Sequence, residues 1–176
     1  YLVRGFVSNT LNAERRKEWA EFSGGALFEL GSHLIDAATR LLGPPQAVTP
    51  FLARHGKFDD TLRDNNVVVL DYARARAVVF NTALQAGGTP QRSFEVLGTQ
   101  GTATLLPIEG GKLMFDLTAA AGPYKKGPQE IPLPAYRRYA DDFIELAAAI
   151  RGEAKLRVTY EENLLVQEIL LRASGM

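Results

Sequence analysis

Residues 1–8 form a strand-like run in which Leu2, Val3, Phe6 and Val7 are apolar. Residues 9–22 are polar and charged, with Arg15, Arg16, Lys17 and Trp19, and read as a loop with a short helical turn. From Ser23 to Pro45 the period becomes helical. At about 100° per residue, Leu27, Leu30, Leu34, Ala37, Ala38 and Leu41 share one broad apolar face. Ser23 is placed to cap the N-terminus and Gly43 to supply a left-handed C-terminal residue; Pro44 and Pro45 prevent continuation.

The period then shortens. Residues 48–54 read as a strand that Pro50 confines to an edge or a bulge, and 55–65 as a polar loop. Residues 66–72 and 77–84 are rich in β-branched side chains and read as neighbouring strands. Two more strands, 93–97 and 102–106, flank a tight connection bracketed by Gly98 and Gly101, and Gly110 and Gly111 turn the chain into 112–118. Residues 119–134 read as a loop. Helical spacing returns through Tyr136, Tyr139, Ala140, Phe143, Leu146, Ala147 and Ile150, stopped by Gly152. Thr159 and Glu162 form a capping box that opens a last helix through Leu164, Leu165, Ile169 and Leu170. There is no internal repeat. The pattern predicts one α+β domain over 1–176, a predominantly antiparallel sheet with helices packed on one face. Val67, Val68, Val69 and Leu70 are consecutive, so the sheet is apolar on both faces there, which predicts an oligomer built on the sheet.

Composition narrows the function classes. Hydrophobic residues make up 46% and charged residues 23% of 176, an ordinary globular balance. Lys plus Arg and Asp plus Glu are both 20, so no net field attracts nucleic acid or an anionic membrane. No apolar run approaches the roughly 18 residues of a membrane span, and no charged-then-apolar leader opens the sequence. Without cysteine there is neither a disulfide framework nor a thiolate metal site. A cytoplasmic location is expected. The sequence begins at Tyr1, directly in a strand, which points to a processed product or a domain cut from something longer.

Candidate chemistry concentrates on the helix after Ser23. Glu29, His33, Asp36 and Arg40 follow at spacings of four, three and four, opposite the apolar face, within an arc of roughly 60°. Two carboxylates, an imidazole and a guanidinium in one row suit proton chemistry on a polar ligand. His55 stands near Asp59 and Asp60, too few ligands for a metal site.

The same residues resemble a family. The run Gly24, Gly25, Ala26, Glu29, Gly31, His33, Asp36 is similar to the motif of the glucose–fructose oxidoreductase/inositol dehydrogenase (Gfo/Idh/MocA) family: glycines, then Asp, Gly, His and Asp. Residues 94–105 resemble that family's strand pair around Gly98 and Gly101. Residues 143–152 and 158–168 resemble its tail. The resemblance covers nearly all of the chain in the right order. It implies a substrate domain like that of glyceraldehyde-3-phosphate dehydrogenase, which in these proteins follows an N-terminal Rossmann domain binding NAD or NADP. No Gly-x-Gly-x-x-Gly turn and no Glu-Lys-Pro segment occurs here, so this chain is expected to bind no dinucleotide itself.

The resemblance implies that Glu29 and His33 occupy the catalytic positions, His33 taking the hydroxyl proton while hydride leaves carbon and Glu29 orienting it or binding a hydroxyl. Asp36 is a substrate-binding candidate or the ordinary partner of Arg40 at i,i+4. Arg15, Arg16 and Trp19 fall where family members often place substrate-facing residues; a solvated, charged loop is the simpler alternative. Gly24, Gly25 and Gly31 read as sites of close backbone approach. Ala26 replaces a Gly and Glu29 replaces an Asp, moving the carboxylate outward by one methylene. Two functions remain open: the substrate-binding and oligomerisation domain of an NAD(P)-dependent oxidoreductase acting on a sugar, cyclitol or polyol, or a non-catalytic binding and dimerisation module. Some family members use a tightly held NAD transiently to cleave glycosidic bonds.

Overall fold

The computed structural model describes residues 1–135 and 139–176. Eight strands form a single sheet: β1 Leu2–Ser8, β2 Ala47–Ala53, β3 Asn65–Tyr72, β4 Ala75–Thr82, β5 Ser93–Gly98, β6 Gly101–Leu106, β7 Lys112–Leu117 and β8 Gly127–Ile131. Their spatial order is β2-β3-β4-β1-β5-β6-β7-β8. Strand β1 lies inside the sheet, parallel to β4 and antiparallel to β5, so the arrangement is not the simple meander that the spacing of strands predicts. Pro50, which lacks an N–H for a second neighbour, sits in the edge strand β2.

The helices are α1 Ala13–Ala20, α2 Ser32–Leu42, α3 Ala140–Ile150 and α4 Tyr160–Ala173, with a π-helical turn at Leu27–Gly31 running into α2. The main core joins one face of β1, β3 and β4 to α2 and α4. Val3, Val7, Val68, Leu70, Ala77 and Val79 meet Leu34, Ile35 and Ala38 from α2 and Ile169, Leu170 and Ala173 from α4. Each fully buried aliphatic side chain of this kind contributes about 1.5–3 kcal/mol. The capping box that opens α4 is complete: Glu162 N donates to Thr159 Oγ1 at 3.1 Å and Thr159 N donates to the Glu162 carboxylate at 2.7 Å.

Several expectations are corrected. Residues 13–20 form a regular helix capped by Asn12, whose side chain accepts from Arg15 N, where a loop with a short turn is expected. Ser23 does not cap a helix; its hydroxyl donates to the Ser174 carbonyl at 2.9 Å. Leu41, expected on the apolar face with Leu34, is 57% exposed in the last turn of α2, past Leu34, Ile35 and Ala38, which pack in the core. Gly127–Ile131 is a strand, paired to β7, inside the expected loop. Helix α3 begins at Ala140; Tyr136, expected in its first turn, lies outside the described residues. Among the described residues, no helix is long and apolar enough to cross a membrane.

Candidate active site

The candidate row begins on the π-turn. The segment leading into the turn is tied twice to the rest of the fold, Ala26 N donating to the Arg63 carbonyl at 3.3 Å and the Ser23 hydroxyl to the Ser174 carbonyl, while Leu27 N closes a local bond to the Gly24 carbonyl at 3.0 Å. Gly25 has φ +52, and a Cβ there would lie 2.8 Å from the Arg63 carbonyl oxygen, so the backbone passes where a side chain does not fit. A Cβ on Gly31 would lie 2.6 Å from Leu27 Cδ1, in a fully buried side chain. These contacts hold an extra residue in the turn. Four residues of α-helix would leave Glu29 and His33 offset by about 40°. The wider π-turn reduces the angular step, so the two stack more nearly in line.

Both side chains are exposed, and neither has a hydrogen-bond or ion-pair partner among the described residues. A carboxylate and an imidazole with free donor and acceptor capacity face outward on one helical wall. Asp36, one turn on, is engaged: Arg40 Nε donates to its two oxygens at 3.0 and 2.9 Å. That pair is half-exposed, a geometry ordinarily worth a few tenths of a kcal/mol, about 0.3–0.5. The pair holds Arg40 well protonated and keeps the Asp36 carboxylate next to the row.

Arg15 and Trp19 share a cavity of about 550 Å³ with Asn9, Asn12 and Leu30. Leu30 directly follows Glu29, so the cavity borders the π-turn. Arg15 is 59% exposed and only loosely paired, 3.4 Å from Glu18. Trp19 is 5% exposed and packs with Ala26, Leu62 and Ala83, so it is mainly core and contributes an edge to the cavity.

For Arg16 the expectation of a solvated loop is corrected. Its side chain is 1% exposed, its Nε donates to Asp60 Oδ2 at 2.6 Å, and its Nη2 donates to Asp60 Oδ1 at 3.1 Å and to Asp64 Oδ2 at 2.8 Å. Phe58 covers the guanidinium, 3.7 Å from ring centre to Cζ. Asp64, fully buried, also accepts from His55 N at 2.9 Å. Hydrogen bonding from Arg16 holds the Asp60 carboxyl below the usual carboxylate range, against the opposing effect of burial. Thus the loop before β3 is clamped to α1, which forms one wall of the cavity. The spacing of Arg16 and Trp19, three residues apart and so on one helical face, is the sequence signal that Arg16 faces inward; it does not mark the two aspartates.

The model of the GFO/IDH/MocA C-terminal domain matches residues 1–104, more than half of the chain. The chain belongs to this family. The curated scyllo-inositol 2-dehydrogenase (NADP(+)) IolW of Bacillus subtilis is 27% identical over 92% of the chain and 50% of its own length. The chain therefore spans about half of that relative. Among solved structures, one from Desulfitobacterium hafniense superposes with a TM-score of 0.77 at 20% identity, covering 99% of this chain and 53% of that one. An oxidoreductase from Agrobacterium radiobacter, in complex with NAD+, L-tartaric acid and magnesium, gives 0.74 at 17% identity, covering 99% and 54%. The WlbA dehydrogenase of Bordetella pertussis, in complex with NADH and UDP-GlcNAcA, gives 0.71 at 18% identity, covering 99% and 52%. These structures share the fold of this GFO/IDH/MocA domain.

Proposed function

We propose that residues 1–176 are the single substrate-binding domain of a longer NAD(P)-dependent oxidoreductase that oxidises a secondary hydroxyl of a sugar, cyclitol or related polyol. The observation that carries this reading is the exposed, partnerless pair Glu29 and His33, one on the π-turn and the other in the first turn of α2, in a member of a dehydrogenase family. π-Turns inside α-helices are frequent at functional sites. Oxidation removes a proton from the hydroxyl oxygen and a hydride from its carbon, leaving a carbonyl. The His33 imidazole takes the proton, and the Glu29 carboxylate accepts a hydrogen bond from a neighbouring hydroxyl or from the ring. A nicotinamide held by the N-terminal Rossmann domain supplies the hydride acceptor. Within this chain, among the described residues, no glycine-rich turn leads from a strand into a helix N-terminus, so dinucleotide binding is assigned to the other half. Asp36, Arg15 and Trp19 are assigned to the substrate side of the same cleft: Arg15 and Trp19 border the cavity beside Leu30.

A second copy is assigned to the sheet face away from the helices. Phe51, Val67, Phe80 and Phe6 are register partners across β2, β3, β4 and β1, which places them in one row on that face, and Phe51 and Phe80 are 59% and 38% exposed. The test of the catalytic reading is oxidation of a panel of cyclitols and aldoses by the complete protein with NAD+ or NADP+, followed as reduced nicotinamide. Turnover of at least one polyol is expected. Saturable polyol binding with no nicotinamide reduction across the panel would replace this reading with that of a non-catalytic binding and dimerisation module.

A further inference from the structure

Every buried residue among the described ones lies at or before Gly88 or from Ile169 onward; residues 89–168 contribute none. Helix α3 is the extreme case. It buries no residue, yet Phe143, Leu146 and Ile150 are 69%, 45% and 77% exposed. With Ala147 they fall within an arc of roughly 100°, and Asp141, Asp142 and Glu145 lie outside it. Among the described contacts of α3, Glu145 accepts from Arg157 N at 2.6 Å and from Arg157 Nε at 2.5 Å. An exposed ion pair of this sort holds little. A helix of 11 residues is marginal in water by itself, so the stripe needs a surface to cover it.

We propose that the stripe of Phe143, Leu146, Ala147 and Ile150 docks on the half of the polypeptide outside these residues, and that α3 serves as the strut between the two halves. This rests on the reading above that the parent protein is longer. Two observations favour this occupant over a second copy. The relative and the solved structures of this fold carry about as much chain again, the present residues covering 50% of one and 53% of another. Four side chains on one helix supply only a fraction of the roughly 800 Å² per partner that separate molecules bury in a stable complex. A covalently linked neighbour, at an effective concentration in the millimolar range, needs no such area.

The test is hydrogen exchange of residues 140–150, measured in the 176-residue chain and in the complete polypeptide encoded by its gene. Exchange about 100-fold slower in the complete polypeptide is expected. The paired variant Phe143→Glu/Ile150→Glu is expected to abolish that difference, to speed proteolysis between the halves, and to leave the oligomeric state of the 176-residue chain unchanged. Equal protection in both proteins, a change of oligomeric state in the variant, or a reading frame that adds no further domain would overturn the proposal. Dinucleotide binding, followed separately by nicotinamide fluorescence, keeps the two readings apart: slow exchange without it supports the docking and removes the oxidoreductase assignment.

Discussion

Arg16 is buried with two aspartates, Asp60 at 6% and Asp64 at 0% side-chain exposure, a cluster with one more negative than positive charge. Removing the cation strands both carboxylates in a low-dielectric interior. Arg16→Met is therefore expected to destabilise the chain by about 3–5 kcal/mol, a fall in Tm of roughly 6–20 °C by calorimetry. The same contact sets a pH dependence. A carboxyl whose pKa is lower folded than unfolded stabilises the fold above its unfolded value and gives that up as pH falls through its folded value. Asp60 is such a group, so the difference in stability between the parent chain and Arg16→Met is expected to be full at neutral pH and to shrink below about pH 4, in urea titrations at stepped pH. The sequence does not show this clamp, because Asp60 and Asp64 are 44 and 48 residues from Arg16 and nothing local marks them as its partners. Glu29 and His33, by contrast, are picked out in the sequence as candidates by a motif that fixes their spacing and the His, with Glu29 standing where the motif has Asp.

At the scale of elements, the π-turn decides where the candidate row points. Gly25 carries the clearest test, since its φ of +52 and a backbone oxygen 2.8 Å from where a Cβ would stand leave nothing to yield cheaply. Gly25→Ala is expected to cost about 1–3 kcal/mol, read as a lower urea midpoint with an unchanged slope. Periodicity locates the helix from its apolar face, and Leu27, Leu34 and Ala38 are buried as that face requires. It misses the π-turn because one added residue smears a 3.6-residue period without erasing it. It misses β8 because Gly127 and Pro128 have poor strand propensity; pairing of Ile131 with Leu113 and of Gln129 with Phe115 makes the strand. The position of β1 between β4 and β5 is also hidden, since Val3 meets Ala77 and Val96 from far along the chain.

On the scale of the whole molecule, two apolar surfaces carry the proposed contacts: the row of Phe51, Val67, Phe80 and Phe6, proposed for a second copy, and α3, proposed for the rest of the polypeptide. Phe80→Asp places a charge in the middle of the first row. It is expected to convert a dimer to a monomer in light scattering at micromolar concentration, with little change in the circular dichroism of the fold. In the proposed reaction His33 takes the hydroxyl proton, and steady-state kinetics of His33→Ala in the complete protein, with and without added imidazole, tests that step. The expected result is a kcat lowered about 10²–10⁴-fold, with KM changed little and partial recovery with imidazole. A variant that turns over like the parent would contradict it.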